Sequence, residues 1–347
     1  MAKKDKKAPI DYKAELRALK ERGPERLYLL WGQEDYLREQ YFGEIKKLCL
    51  PEGDDSFSLK RINGPELDLK ALREAVDSMP FMTERTLIEL RGVDINKLNE
   101  PDEHIKVLSD IPEFCTVVFI QGSEYEPDGR LKLVKHLRAK GRELEFTPQS
   151  QYDLKLWIRR RFAAAGKDID TAAAERLILI SGDRMNALIP EIEKIAGYAK
   201  DECVSVRDVE AVANHIPAAI IFDITGLIAK KEFDNAASLL AELLSNRKNE
   251  PIAMLAAVGN QMRQLYAARL ALEKKLGAKY LLDSGTVKHD FVARMLYEQA
   301  GAFSLSRLER AVELCAEADY NMKSSSADDA MLFRELFMRI ASGEGDA

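Results

Sequence analysis

The first 148 residues alternate short β-rich runs with helical segments, and no other feature limits the fold of the chain as strongly. Five runs have the composition of buried strands: RLYLLW (26–31), FSLKRI (57–62), TLIEL (86–90), CTVVFIQ (115–121) and ELEF (143–146). Segments with helical periodicity separate them, at residues 34–48, 66–78, 101–109 and 128–140. Strands that alternate with helices favour a mostly parallel sheet with helices on both faces. We therefore predict an α/β domain over residues 9–148.

The remainder of the chain has no strand signals and is predicted to be helical. Residues 149–216 contain helical stripes, one of them with Pro190 in its predicted first turn, where a missing N–H costs little. From residue 217 to 347, leucine-rich stripes indicate a longer run of helices, with Pro251 opening one helix and Ser304 capping another. The sequence thus predicts an α/β domain followed by two all-α domains.

The composition excludes several classes of protein. The 347 residues are 46% hydrophobic and 32% charged, which is typical of a globular chain of two or three domains. No apolar run approaches the roughly 20 residues that cross a bilayer. Residues 1–8 are lysine-rich but lack the apolar stretch of a signal peptide, so we interpret them as a basic disordered tail. A net charge of −6 argues against general DNA binding by the whole surface.

The cysteines and histidines show no ligand spacing. No two cysteines form a C-x-x-C pair, and no histidine has a second ligand three or four residues away; the residues are Cys49, Cys115, Cys203, Cys315, His104, His136, His215 and His289. We therefore expect reduced cysteines, no metal site and no cofactor.

The turn after the first strand lies where a nucleotide-binding α/β domain keeps its phosphate loop. Such a loop needs glycines to expose backbone N–H groups, a lysine for the phosphates and a Ser or Thr for magnesium. Counting on from Gly32, the positions for Gly-Lys-Ser/Thr hold Leu37, Arg38 and Glu39. The acidic pair expected after the strand TLIEL is also missing, since the first acidic residue there is Asp94. Both patterns predict that the chain has no working nucleotide site, whether such a site has degenerated or the α/β domain never had one.

Five segments in a fixed order resemble one family of proteins. They are YLLWGQEDYLREQ, SMPFMTERTLIEL, LIPEIEKIAGYA, IFDITGLIAKKEFDNAASLLAELL and SLSRLERAVELCAEADYNMKS. Together with the order of an α/β domain, a helical lid and a helical collar, they resemble the delta subunits of bacterial DNA polymerase III over nearly the whole chain after the basic tail. The resemblance implies an AAA+-like, three-domain clamp-loader subunit, with residues 149–216 as the lid and 217–347 as the oligomerisation collar.

The same resemblance implies a function and a set of partners. The expected function is to bind and open the sliding clamp (the beta subunit) for ATP-dependent loading onto primed DNA, without intrinsic catalysis. The expected partners are the clamp, the gamma/tau and delta-prime subunits through the collar, and primed DNA within a cytoplasmic heteropentamer; no membrane or small-molecule partner is expected. The clamp-binding element is assigned by resemblance to Met79, Pro80, Phe81 and Met82.

Two of the candidate segments have an alternative interpretation as ordinary structure. Large apolar residues are usually buried, so Phe81 and its neighbours could be core, although Pro80 and the flanking polar residues favour a surface turn. The segment WIRRRF (157–162) could stack on DNA, or it could be a lid helix with Trp157 and Phe162 inward and its arginines solvated.

Basic residues in the collar and the function as a whole also leave alternatives open. Five residues could line the route of template DNA or could be ordinary solvated charges: Arg263, Arg269, Lys274, Lys275 and Lys279. The alternative functions are a divergent P-loop ATPase or helicase-like motor, and a helical scaffold with a decayed α/β domain and no role at a clamp.

Overall fold

The computed structural model describes residues 10–50, 55–64, 67–81, 83–123, 125–246, 249–324 and 328–343, with the backbone alone at 55 and 56. The predicted basic tail at 1–8 lies outside these residues. Contacts divide the chain into two compact units: the first holds the described residues up to Gln149 with Arg184–Asn186, and the second holds Ser150–Asp183 and the residues from Ala187 onward. Among the described residues, no helix combines the length and the apolar character needed to cross a membrane.

The first unit is built on a five-stranded parallel sheet with the strand order β2-β3-β4-β1-β5. The strands are β1 (Leu27–Trp31), β2 (Leu59–Asn63), β3 (Thr86–Arg91), β4 (Cys115–Ile120) and β5 (Arg142–Glu145). In the centre of the sheet, Leu29 lies opposite Phe119 of β4 and Glu143 of β5. All six residues of β4 are buried, as expected for a strand covered by helices on both faces. The predicted parallel sheet is confirmed.

Among the described residues, six helices accompany this sheet: α1 (Tyr12–Arg22), α2 (Asp35–Cys49), α3 (Asp55–Ser58), α4 (Leu69–Asp77), α5 (Pro101–Ser109) and α6 (Lys132–Lys140). Local side chains set where they begin. The Asp11 carboxylate accepts hydrogen bonds from the N–H groups of Lys13 and Ala14, and the Asp68 carboxylate accepts one from Ala71 N at 2.6 Å. The α4 residues Leu72 and Val76 are buried in one apolar core with the sheet.

The second unit begins with the predicted lid region and contains a strand pair that sequence reasoning missed. The elements of this region are α7 (Gln151–Ala164), β6 (Asp168–Ile169), α8 (Thr171–Ser181), α9 (Met185–Tyr198, its first two residues in the first unit), β7 (Cys203–Val204) and α10 (Val206–Val212). The parallel pair β6–β7 has only two residues in each strand, too few to show a periodicity. The prediction for Pro190 was also wrong, because α9 begins at Met185 and Pro190 therefore lies inside the helix.

The predicted collar region contains seven helices in its described part. They are α11 (Pro217–Ala229), α12 (Phe233–Ser245), α13 (Pro251–Glu273), α14 (Lys279–Asp283), α15 (Asp290–Ala300), α16 (Leu305–Ser324) and α17 (Asp329–Ser342). One apolar core includes residues from all of them. Pro251 opens α13, and the Ser304 hydroxyl accepts from Arg307 N at 3.1 Å, which confirms these two predicted helix starts. Pro217 opens α11 in the same way.

Polar contacts join the lid and collar regions within the second unit. Arg176 of α8 makes two hydrogen bonds to Asp223 of α11, at 3.0 and 2.7 Å. The backbone N–H of Asp290 donates to Gln151 Oε1 at 2.6 Å. The boundary expected at residue 216 falls in the short connection between α10 and α11, and it stays a prediction.

Candidate functional site

The expected clamp-binding segment lies between the end of α4 and the start of β3, at the amino-terminal edge of the sheet. Met79 is 79% exposed and Phe81 is 60% exposed, while Pro80 is half-buried. Met82 lies outside the described residues. The interpretation of this segment as core is therefore wrong for Met79 and Phe81, which project large apolar side chains into solvent.

Hydroxyl groups fix the backbone of this segment. The Ser58 hydroxyl donates to the carbonyl oxygen of Phe81 at 3.2 Å, and the Thr83 hydroxyl donates to Ser58 Oγ at 2.6 Å. On the other side of the turn, the Thr86 hydroxyl donates to the carbonyl oxygen of Ser78 at 3.1 Å. The two exposed apolar side chains are consequently carried on a tethered backbone and not on a loose loop.

A third exposed apolar residue, Phe57, lies beside this segment and was missed by sequence reasoning. Phe57 was assigned to the strand FSLKRI, but it belongs to the single turn of helix α3 before β2. It is 61% exposed, and its ring meets the ring of Phe81 edge to face with centroids 5.6 Å apart. The two rings meet because β2 and β3 are parallel neighbours with Leu59 opposite Leu87, so the residues preceding each strand lie at one edge. The sequence carries no local signal of this pairing.

The turn expected to be a degenerate phosphate loop lies at the opposite, carboxyl edge of the sheet, where ligands of parallel α/β sheets usually bind. Only Gly32, Gln33 and Glu34 connect β1 to α2. Gly32 has a φ of 119°, and a Cβ at this position would lie 2.4 Å from the carbonyl oxygen of Phe146. This glycine is thus required by the packing of residue 146 against the turn, which is a sufficient reason for its presence without a phosphate.

Two of the three residues at the Gly-Lys-Ser/Thr positions of a phosphate loop point into the protein. Leu37 is buried, and Arg38 is only 6% exposed. The Arg38 guanidinium donates to the carbonyl oxygen of Gly32 at 2.9 Å and pairs with Asp35 at 2.7 Å. Arg38 therefore braces the turn after β1, and it does not reach outward as a phosphate-binding lysine does.

Glu39, the third of these residues, is held by Arg91 at the end of β3. Two parallel hydrogen bonds join the guanidinium of Arg91 to the Glu39 carboxylate at 2.8 and 2.7 Å, and Arg91 Nε also donates to Glu89. The bonds to Glu39 raise the pKa of Arg91 further above its ordinary value. A half-exposed bidentate ion pair thus engages the residue at the position where a phosphate loop has its magnesium-binding Ser or Thr.

A buried carboxyl group lies at the first turn of α2. Glu34 is 1% exposed, and burial raises its pKa to about 7, against the opposing effect of the backbone N–H groups of Met185 and Tyr36 and the charge of Arg184. Arg184 also donates to the carbonyl oxygen of Gln33. A carboxyl at a helix amino terminus takes the position in which a phosphate is favoured, and a bound phosphate would be repelled by its charged form.

The described part of the chain contains no group of three or more His, Cys, Asp or Glu side chains arranged to hold a metal ion. In that part, Cys49, Cys115 and Cys315 are buried free thiols, while Cys203 is an exposed one. Burial raises the pKa of Cys315 to about 11 and that of Cys115 to about 12, so both are protonated at neutral pH.

The aromatic–basic segment WIRRRF forms the second half of α7. Phe162 is fully buried and Trp157 is half-buried with the Arg161 guanidinium 5.5 Å from its ring centroid. Arg159 donates to the Thr171 hydroxyl at 2.7 Å. These contacts support the interpretation as a lid helix with solvated arginines.

The basic collar residues lie on α13 and α14 and in the turn between them. Arg263 is exposed, and Arg269 pairs with Glu273 four residues on, at 3.3 Å. Lys274, Lys275 and Lys279 are exposed, and the same turn carries the exposed side chains of Leu276 and Tyr280. The structure therefore brings three of the five predicted residues into one exposed turn.

Comparison with known proteins identifies the family. The family model of the DNA polymerase III delta subunit matches residues 28–147, and that of the delta subunit's C-terminal domain matches residues 218–340. The chain is 26% identical over 320 residues to the DNA polymerase III subunit delta of Bacillus subtilis (strain 168), covering 90% of this chain and 91% of that protein.

One solved structure extends the likeness to the fold. It is the Bacillus subtilis DNA clamp loader delta protein, with a TM-score of 0.57, 21% identity, and coverage of 95% of this chain and 99% of that chain. An α/β domain followed by helices is thus shared over almost the full length of both proteins. With matches to both halves of the sequence and to the fold, this chain belongs to the DNA polymerase III delta subunits, which are clamp-loader subunits of the replicative polymerase.

Proposed function

We propose that this delta subunit binds the sliding clamp through the turn between α4 and β3 and holds the clamp open, without hydrolysing ATP itself. The observation that carries the proposal is the exposure of Met79 and Phe81 on a backbone fixed by Ser58, Thr83 and Thr86. Exposed large apolar side chains on a rigid support are typical anchors for an apolar pocket on a partner, because little conformational entropy is lost on binding.

To open the sliding clamp, the delta subunit must do more than bind it. A subunit that does not hydrolyse ATP can shift the clamp between closed and open forms only by its difference in affinity for the two. We therefore assign to this chain a higher affinity for the open ring. The free energy that resets the cycle comes from ATP bound by neighbouring subunits of the loader.

Three features of the carboxyl edge of the sheet support the absence of ATPase activity. The turn after β1 has three residues and no lysine, so it cannot cradle phosphates. Arg38 and Glu39 are engaged with Gly32 and Arg91. The charged form of the Glu34 carboxyl, at the start of α2, would repel a bound phosphate there.

The helices from α11 onward are proposed to be the collar that joins this chain to the gamma/tau and delta-prime subunits, with α7–α10 as the lid. Their shared apolar core makes them a firm base for such an interface. We also propose that the turn with Lys274, Lys275 and Lys279 contacts primed DNA in the assembled loader, since exposed lysines beside Tyr280 suit a phosphate backbone and a stacked base.

The clamp proposal is tested with Phe81→Ala. Removing a large apolar anchor from a desolvated pocket typically costs roughly tens- to hundreds-fold in affinity, so we expect the variant to bind the clamp at least tenfold more weakly, by about 1.4 kcal/mol or more. The melting temperature should change little, because an exposed ring contributes little to folding. Tyr152→Ala removes an aromatic ring that is 70% exposed in the other unit and serves as the matched control. Wild-type affinity of Phe81→Ala for the clamp would refute the assignment.

The proposal that this chain does not hydrolyse ATP is tested by calorimetric titration and hydrolysis assays with Mg-ATP on the purified chain. We expect no saturable binding and no phosphate release. Micromolar binding that disappears in Arg38→Ala would instead establish a divergent P-loop ATPase.

A further inference from the structure

The exposed apolar surface at the amino-terminal edge of the sheet is formed by two segments and not one. Met79 and Phe81 come from the turn before β3, and Phe57 comes from the turn before β2. The rings of Phe57 and Phe81 pack edge to face, yet each keeps about 60% of its surface exposed. A pair that its own chain leaves so uncovered has most of its apolar area available to a partner.

The two rings are also linked through the backbone. Ser58, directly after Phe57, is buried, and its hydroxyl holds the carbonyl oxygen of Phe81. Thr83 holds Ser58 in turn. A shift of either segment therefore moves the other, so the relative position of the rings is set before any partner arrives.

We propose that Phe57 and Phe81 are bound by the clamp as one unit, with Phe57 as a second aromatic anchor beside Phe81. The inference rests on the proposed function of the turn before β3 and adds to it a residue from a separate part of the sequence. We assign the clamp as the partner because Phe57 adjoins the turn that is proposed to bind it. The clamp would then offer an apolar cleft that admits the two adjoining rings, with Met79 at the margin of that cleft. The packing of the two rings fixes the shape that the cleft must match.

The partner surface must be apolar, because Phe57, Met79 and Phe81 carry no charge and no hydrogen-bonding group in their side chains. Aromatic rings lose little conformational entropy on burial and are enriched among the residues that dominate binding. Phe57 would contribute both contact area and the edge-to-face support that keeps Phe81 in its bound orientation. If Phe57 supports Phe81 in this way, the losses of clamp affinity caused by substituting the two residues should be coupled and not independent.

The experiment is a double-mutant cycle on the full-length protein, with affinity for the purified clamp measured by titration. We expect Phe57→Ala to weaken binding about tenfold and Phe81→Ala about a hundredfold. In the Phe81→Ala background, Phe57→Ala should cost threefold or less, because the pair has already been lost. Tyr152→Ala is the exposed aromatic control, and the melting temperature of each variant is measured in parallel. Should Phe57→Ala melt early, Phe57→Leu keeps apolar volume without the ring and should still weaken binding severalfold.

The outcomes separate this inference from the function on which it rests. If Phe81→Ala binds as the wild type does, the proposed clamp site is wrong. If Phe81→Ala is defective while Phe57→Ala and Phe57→Leu bind within twofold of the wild type, the clamp site stands and the role of Phe57 is refuted. Fully multiplicative losses would refute binding of the rings as one unit. Self-association of the wild type that Phe57→Ala abolishes at unchanged clamp affinity would assign the surface to a second copy of the chain, and would also overturn the inference.

Discussion

Substituting Gly32 by alanine tests whether this glycine serves chain packing and not nucleotide binding. The new Cβ would lie 2.4 Å from the carbonyl oxygen of Phe146 and 2.6 Å from its nitrogen, distances at which atoms cannot remain. The φ of 119° is in addition a backbone conformation that alanine rarely adopts. Residue 146 or the turn must therefore move.

The cost follows from the contacts that such a movement disturbs. Residue 146 is tied to the turn by two hydrogen bonds, from Phe146 N to the Trp31 carbonyl at 2.7 Å and from Glu34 N to the Phe146 carbonyl at 2.9 Å. Weakening both costs about 1–3 kcal/mol, and the strained φ adds about 1–3 kcal/mol. We expect Gly32→Ala to lower the free energy of unfolding of the α/β unit by about 2–6 kcal/mol. That is a large part of the stability of a typical domain.

Gly43→Ala is the matched control in the same unit. Gly43 lies inside α2, and a Cβ there meets no atom within 4 Å. Alanine favours a helix interior over glycine by about 1 kcal/mol, so this substitution should stabilise the unit slightly. The two glycine-to-alanine changes therefore have opposite predicted signs.

The assay is urea unfolding followed by tryptophan fluorescence in a Trp157→Phe background. The chain has two tryptophans, so this background leaves Trp31, beside the turn, as the only reporter of the α/β unit. An unfolding midpoint of Gly32→Ala equal to that of the parent would refute the packing argument. So would equal destabilisation by Gly43→Ala, because it would show that any added methyl group in this region is harmful.

Three other predictions concern charge and domain organisation. The pKa of Glu34 is raised from 4.5 to about 7. Between pH 4.5 and about 7, the folded chain therefore keeps a proton on Glu34 that the unfolded chain releases. Glu34 consequently makes the free energy of unfolding fall as the pH rises through this window. Glu34→Gln should accordingly stabilise the protein by on the order of 1–3 kcal/mol at pH 8 and by nothing measurable at pH 4, in urea titrations at both pH values. A chain ending at residue 216 should still bind the clamp but fail to enter the loader in gel filtration with the other subunits; its entry would contradict the collar assignment. Replacing Lys274, Lys275 and Lys279 by alanine should weaken the binding of primed DNA by the loader. The salt dependence of this binding should also fall, by an amount that corresponds to up to about three phosphate contacts. Lys106→Ala removes a paired lysine of α5 and should leave the affinity and its salt dependence unchanged.

Local patterns in the sequence were sufficient for the order and type of most elements. The apolar runs of the first 148 residues and the helical stripes after them reflect side-chain periodicity, which is a property of neighbouring residues and needs no knowledge of the fold. The absence of a lysine after Gly32 is equally local, and so are the helix starts at Asp11 and Ser304. The segment of Met79 and Phe81 was found by resemblance to a family, because composition alone could not separate an exposed turn from core.

Only the tertiary structure decided which distant residues meet. Phe57 and Phe81 adjoin because β2 and β3 are parallel neighbours, and strand order is not encoded in the periodicity of either strand. The same holds for Arg91 with Glu39 and for Arg176 with Asp223, since each of these ion pairs joins residues far apart in the chain. Burial is likewise a property of the whole packed unit, and it turned Arg38 inward and raised the pKa of Glu34. The sequence by itself therefore determined the type of most segments, whereas the packing of segments against one another decided which surface is left open to a partner.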